Sequence, residues 1–113
     1  MLVQVNTSNN TSGSAELTLR IETLLTAALD RFGERLTRVE VHLSDENGAK
    51  TRGDDKKCVL EARPASMHPM TVTHVAATFE QAVDGAAKKM ERHLDDTFGR
   101  IQDRHRQGER GGA

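Results

Sequence analysis

The sequence has 113 residues, 35% of them hydrophobic and 29% charged, with 16 basic and 17 acidic side chains for a net charge of −1. That length suits one domain with one modest core, and no apolar run approaches the ~18 residues of a membrane span. A near-neutral balance excludes a uniformly basic polyanion binder, so any nucleic-acid surface must come from segregation of charge.

Leu2-Val3-Gln4-Val5-Asn6 alternates apolar and polar residues and predicts a short strand. Thr7–Gly13 is polar, with turn-forming residues, and reads as a loop. Met1–Asn10 carries neither a basic start nor a signal-length apolar stretch, so a cytoplasmic protein is expected, and the sequons at Asn6, Asn9 and Asn10 carry no weight. From Ser14 to Phe32, Leu17, Ile21, Leu24, Leu25, Ala28, Leu29 and Phe32 recur at three- and four-residue spacing, one face of an amphipathic helix that Gly33 should stop.

Arg38–Ser44 alternates again, with Val39, Val41 and Leu43 on one side. Asp45–Asp55 has no period and reads as a loop. Lys57–Arg63 is a third strand, with Cys58, Leu60 and Ala62 on one face. Pro64–Pro69 breaks the chain, and Met70–Val75 is a weaker fourth strand. Thr78-Phe79-Glu80-Gln81 is a capping box opening a long helix whose stripe is Phe79, Ala82, Val83, Ala86, Met90, Leu94, Thr97 and Ile101. That helix should fray near Arg104, giving a domain over 1–104 and a disordered basic, Gly-rich tail over 105–113. The resulting fold class is α+β. Its β-α-β-β-β-α order implies a right-handed first βαβ unit, a four-stranded mixed sheet and two parallel helices on one face. Ile21, Leu25, Phe32, Val41, Leu60, Phe79, Val83 and Met90 should share the core.

On the second helix, Lys88, Lys89 and Arg92 fall on one flank with Gly85, while Asp84, Glu91 and Asp95 fall on another. A mid-helix glycine costs roughly 1 kcal/mol against alanine, so Gly85 implies a close approach, either by a ligand backbone or by a neighbour within the fold. The flank also reads as a solvated face with i,i+4 pairing and Gly85 packed on a neighbour, and these residues alone favour that reading. Arg20 and Arg31 occupy the corresponding flank of the first helix. Because the helices should be parallel, the two flanks cannot both face the groove between them. Lys56, Lys57 and Arg63 add positive charge near the third strand, or guard it as an edge.

Catalytic constellations are missing. There is no phosphate-binding glycine loop, nucleophile elbow or paired-Cys metal spacing. His42 and His74 could approach across the sheet and join Asp54 and Asp55 at a metal, but isolated surface histidines are commoner. Cys58, a lone thiol in strand alternation, reads as core. Neither an enzyme nor a cofactor is expected.

Ala82-Val83-Asp84-Gly85 followed by Lys88-Lys89-Met90-Glu91-Arg92-His93-Leu94 resembles the second helix of the ribosome hibernation promoting factor and ribosome-associated inhibitor family, also called the sigma-54 modulation family. Phe32, Arg35-Leu36, Val39, Val41 and Leu43 resemble its first-helix end and second strand, and Thr7–Asn10 its polar loop, so the likeness spans Leu2 to about Arg104. The resemblance implies a fold like a double-stranded-RNA-binding domain. It also implies a translation inhibitor that binds small-subunit rRNA near the decoding centre and blocks the tRNA and mRNA sites. Lys89, Arg92 and Gly85 match family positions, and Lys88 joins them by geometry. With Arg20, Arg31, Lys56 and Lys57 these make the candidate rRNA-binding set. Long family members carry a second, ribosome-pairing domain, for which this sequence is too short. The expected partner is the small ribosomal subunit, with no membrane and no small-molecule substrate. The rival reading is a protein-interaction module on the same fold that has lost its RNA surface.

Overall fold

A computed structural model describes residues 1–8, 15–46 and 55–111, with side chains as far as 101. The elements are β1 (Leu2–Thr7), α1 (Ala15–Leu29), a 3-10 turn (Asp30–Arg35), β2 (Leu36–Asp45), β3 (Lys56–Pro64), β4 (Met70–Ala76) and α2 (Phe79–Gly111). The architecture is α+β, with a four-stranded mixed sheet in the order β1-β2-β3-β4. β1 pairs parallel to β2, while β2–β3 and β3–β4 are antiparallel.

Strand alternation decides the layers. On β2 and β3, Leu36, Val39, Val41, Leu43, Cys58, Leu60 and Ala62 are buried under the helices, at 0–1% exposure. Arg38, Glu40, His42, Lys57, Glu61 and Arg63 alternate with them and stand on the open face. Ile21, Leu25 and Leu29 of α1 and Ala82, Val83, Ala86, Met90 and Leu94 of α2 close the core from above. Burial removes the Cys58 thiol from water and pushes its pKa up to about 12, which makes it a packing residue rather than a nucleophile.

Local signals act much as their chemistry requires. Gln81 N–H donates to the Thr78 hydroxyl (3.1 Å), so the cap of α2 forms as the Thr-x-x-Gln pattern predicts. Gly33 adopts φ +53°, a region glycine enters without a Cβ penalty, and kinks the 3-10 turn so that the chain enters β2.

Several expectations shift. Residues 30–35 are a 3-10 turn rather than the end of α1. β3 is internal, not an edge, so Lys56, Lys57 and Arg63 guard no open strand; the edges are β1 and β4. His42 lies on the open face and His74 under α2, so the sheet separates the two histidines that a metal would need together. Among the described residues no cluster of three or more His, Cys, Asp or Glu could hold a metal, and no helix is long and apolar enough to cross a membrane. Phe79 is half-buried against the core rather than within it, because it sits in the first turn of α2 at the rim. The α2 backbone stays helical to Gly111, past the expected fraying near Arg104: apart from Gly108, Gln102–Arg110 contains no strong helix breaker. The expected loops fall partly in 9–14 and 47–54, outside the described residues, as does Asp54.

Candidate nucleic-acid interface

The two helices run parallel, and ionic side chains fix their alignment. Arg20 donates to Glu80 (3.1 Å) and to Glu16 (3.2 Å). Eleven residues on, Arg31 donates through both terminal nitrogens to Asp95 (2.6 and 2.7 Å). Arg31 also lies 4.3 Å above the Phe32 ring, and Arg35 lies 4.4 Å above Phe98. The Asp95 hydrogen bond holds the Arg31 guanidinium pKa above its ordinary value, and in return holds the Asp95 carboxyl below its own. Glu80 and Asp95, each half-exposed, thus meet arginines across the interhelical groove, while Asp84 pairs with Lys88 of α2 itself. Arg20 and Arg31 are tied into the interhelical groove instead of standing as free cations.

Lys56 and Lys57 are also engaged. Lys56 sits on the helix side at the end of β3, 3.0 Å from the buried Asp55 carboxylate and 3.1 Å from Asp45. Hydrogen bonds from Asp55 and then Asp45 raise its pKa. Lys57 lies on the opposite, open face, 3.1 Å from Glu46. Three ion pairs, two on the helix side and one on the open face, thus close the base of the β2–β3 connection. The eight candidate residues do not form one patch.

What remains is the flank of α2 turned away from α1, toward edge strand β4. Arg92 is exposed and makes no hydrogen bond or ion pair among the described residues. Lys88 is 69% exposed and pairs with Asp84 at 3.1 Å, an i,i+4 surface contact of the weak kind. Lys89 donates to the Thr73 carbonyl of β4 at 2.7 Å, which places its charge at the sheet edge. All three face solvent within about one helical turn. A concave surface of about 470 Å³ adjoins them, lined by Leu24, His74, Gln81, Asp84, Gly85 and Lys88 among others.

Gly85 has a nearer cause than a ligand. A Cβ built there would lie 2.2–2.6 Å from Cδ2, Nε2 and Cγ of His74. The close approach is made by the imidazole of the chain's own β4, so the glycine need not admit an RNA backbone. Sequence reasoning found the demand for space at Gly85 but not its source, because His74 lies eleven residues away on another element. It also missed Phe98, which packs on Phe32 with ring centroids 5.9 Å apart and draws the C-terminal half of α2 toward the 3-10 turn. Its only signal was an aromatic one residue off the apolar stripe.

Residues 4–102 match the family model described as sigma 54 modulation protein / S30EA ribosomal protein. The chain belongs to this family. The fold is also that of the Thermus thermophilus Protein Y N-terminal domain, with a TM-score of 0.69 at 18% identity, covering 86% of this chain and 99% of that one. A ribosomal subunit interface protein from Coxiella burnetii superposes with a TM-score of 0.65 at 13% identity, covering 88% and 99%. No curated protein matches the sequence.

Proposed function

We propose that the protein is a ribosome-associated hibernation factor of the cytoplasm that binds small-subunit rRNA near the decoding centre and blocks the tRNA and mRNA sites without catalysis. The observation that carries the RNA contact is the segregation of charge on α2. Glu80 and Asp95 pair with Arg20 of α1 and Arg31 of the 3-10 turn, whereas Lys88, Lys89 and Arg92 are exposed on the other flank. A chain of net charge −1 thereby presents a positive face to phosphate. Family membership supplies the kind of partner, and the flank supplies a place for it. Arg20, Arg31, Lys56 and Lys57 are not part of the proposed contact, because their carboxylate partners tie them into the interhelical groove or the base of the β2–β3 connection, whereas Lys88 pairs with Asp84 of its own helix in a weak surface contact.

The test is co-sedimentation with purified small subunits alongside translation in vitro. A Lys88→Glu, Arg92→Glu variant, which touches only exposed side chains, should keep the wild-type circular dichroism spectrum, lose most subunit binding and no longer inhibit. Glu34→Lys, exposed and off this flank, should bind as wild type. Unchanged affinity of the double variant at moderate salt would refute the flank assignment and favour a protein-interaction role.

A further inference from the structure

The two edges of the sheet are treated differently. β4 has Lys89 laid against its Thr73 carbonyl, a charge of the kind that discourages strand addition. β1, Leu2-Val3-Gln4-Val5-Asn6-Thr7, has no charged side chain, and its first residue, Leu2, is 62% exposed. Its backbone phase follows from one bond: Ser8 N–H donates to Leu43 carbonyl at 3.0 Å, so Ser8 turns its backbone toward β2. Successive residues alternate, which turns Leu2, Gln4 and Asn6 inward as well. The N–H and C=O of Val3, Val5 and Thr7 point out from the sheet, and among the described residues nothing receives them.

We propose that β1 is a self-pairing edge, at which two copies of this chain join antiparallel about a two-fold axis through Val5. The occupant is a second copy because the strand complements itself. In that register Val3 faces Thr7 of the other copy, Val5 faces Val5, and Thr7 faces Val3. All three outward residues then form hydrogen-bonded pairs, six bonds in a continuous eight-stranded sheet. Side-chain faces also agree. Val3 and Val5, which pack toward the core, meet their like, and the amides of Gln4 and Asn6 meet on the open face. A one-residue slip would set core-facing side chains against open-face ones. No like charges confront one another along the strand. The α1 flank opposite Arg20 and Arg31, which overhangs this edge, carries Thr18, Glu22 and Thr26, a single charge. β1 spans only about 20 Å, so the contact is small and the dimer belongs to the weak, concentration-dependent class. The α2 flanks lie at the far ends of the joined sheet, so the inference stands independently of the ribosome reading.

Sedimentation equilibrium from about 10 µM to about 1 mM tests it. The expected result is a rise toward twice the monomer mass. Val3→Pro deletes an outward N–H while sparing every bond to β2, a place where an edge strand tolerates proline. Gln4→Glu, Asn6→Glu sets carboxylates opposite each other across the axis and keeps an acceptor for Arg38, which donates to Gln4. Both variants should hold the wild-type circular dichroism spectrum and weaken association at least tenfold. If Val3→Pro does not fold, the acidic variant decides alone. A wild type still monomeric at the top concentration, or a folded acidic variant that dimerises as the wild type does, overturns the proposal.

Discussion

At Gly85, opposing effects act on one atom. An alanine there would gain roughly 1 kcal/mol of helix propensity, but its Cβ would overlap three ring atoms of His74, not just the tip of a flexible chain. The ring is wedged between β4 and α2, so the overlap should win, and Gly85→Ala should destabilise the fold. In a His74→Ala background the obstruction is gone and the same substitution should stabilise, by up to about 1 kcal/mol. Urea denaturation of the four proteins of this cycle checks it; equal effects of Gly85→Ala in both backgrounds would show that the glycine has another reason. The contact also shows where sequence reading stops. Helical phase identified a position that demands space, while the residue filling that space came from a strand pairing that periodicity does not encode.

Elements were legible where a period repeats over several residues. The apolar stripes of α1 and α2 and the alternation in β2 and β3 name nearly every core residue, because burial on one face enforces the period. Ends and neighbours were less legible. Phe79 follows the stripe but lies at the rim, and strand order depends on pairings that no single strand records, so β3 looked like a guarded edge. The helix flanks show the same limit: each charge could be phased, but its partner could not. Asp95 illustrates the consequence. Its pairing with Arg31 keeps the folded-state pKa below the ordinary carboxylate value of about 4. The pair's contribution to stability is therefore full above that value and is lost as pH falls through the lower folded-state pKa. Both partners are half-exposed, so the effect should be small and should shrink with salt. Thermal melts of wild type and Asp95→Asn should differ near neutrality and converge as pH falls below about 4; a difference that persists at low pH would mean that Asp95 acts through packing rather than charge.

For the whole molecule the governing fact is that pairing, more than composition, decides which charges are available. The chain has 16 basic residues and a net charge of −1, yet most cations of the described sheet and of α1 lie against carboxylates. Arg38 pairs with Glu40 at 2.5 Å and Arg63 with Glu61 at 2.9 Å, on the same open face as Lys57 and Glu46. Such a face offers a polyanion little net charge, whereas the proposed α2 flank exposes Lys88, Lys89 and Arg92. If phosphate contact is confined to Lys88, Lys89 and Arg92, the salt dependence of small-subunit binding should be shallow for an RNA-binding protein. Roughly two to three phosphates would be neutralised, each contributing a slope of about −0.7 to −0.9 in log K against log salt. Arg92→Ala should lower the slope by about one contact, because nothing within the described fold competes for that guanidinium. Lys88→Ala should lower it by less, since Asp84 already offsets part of its charge. Arg20→Ala and Arg31→Ala should leave the slope unchanged and lower only the melting temperature. Binding titrations at four salt concentrations separate these outcomes. A slope several contacts steeper, or one that falls with Arg20→Ala, would place the RNA across the interhelical groove instead, where the arginines would have to leave their carboxylates to reach it.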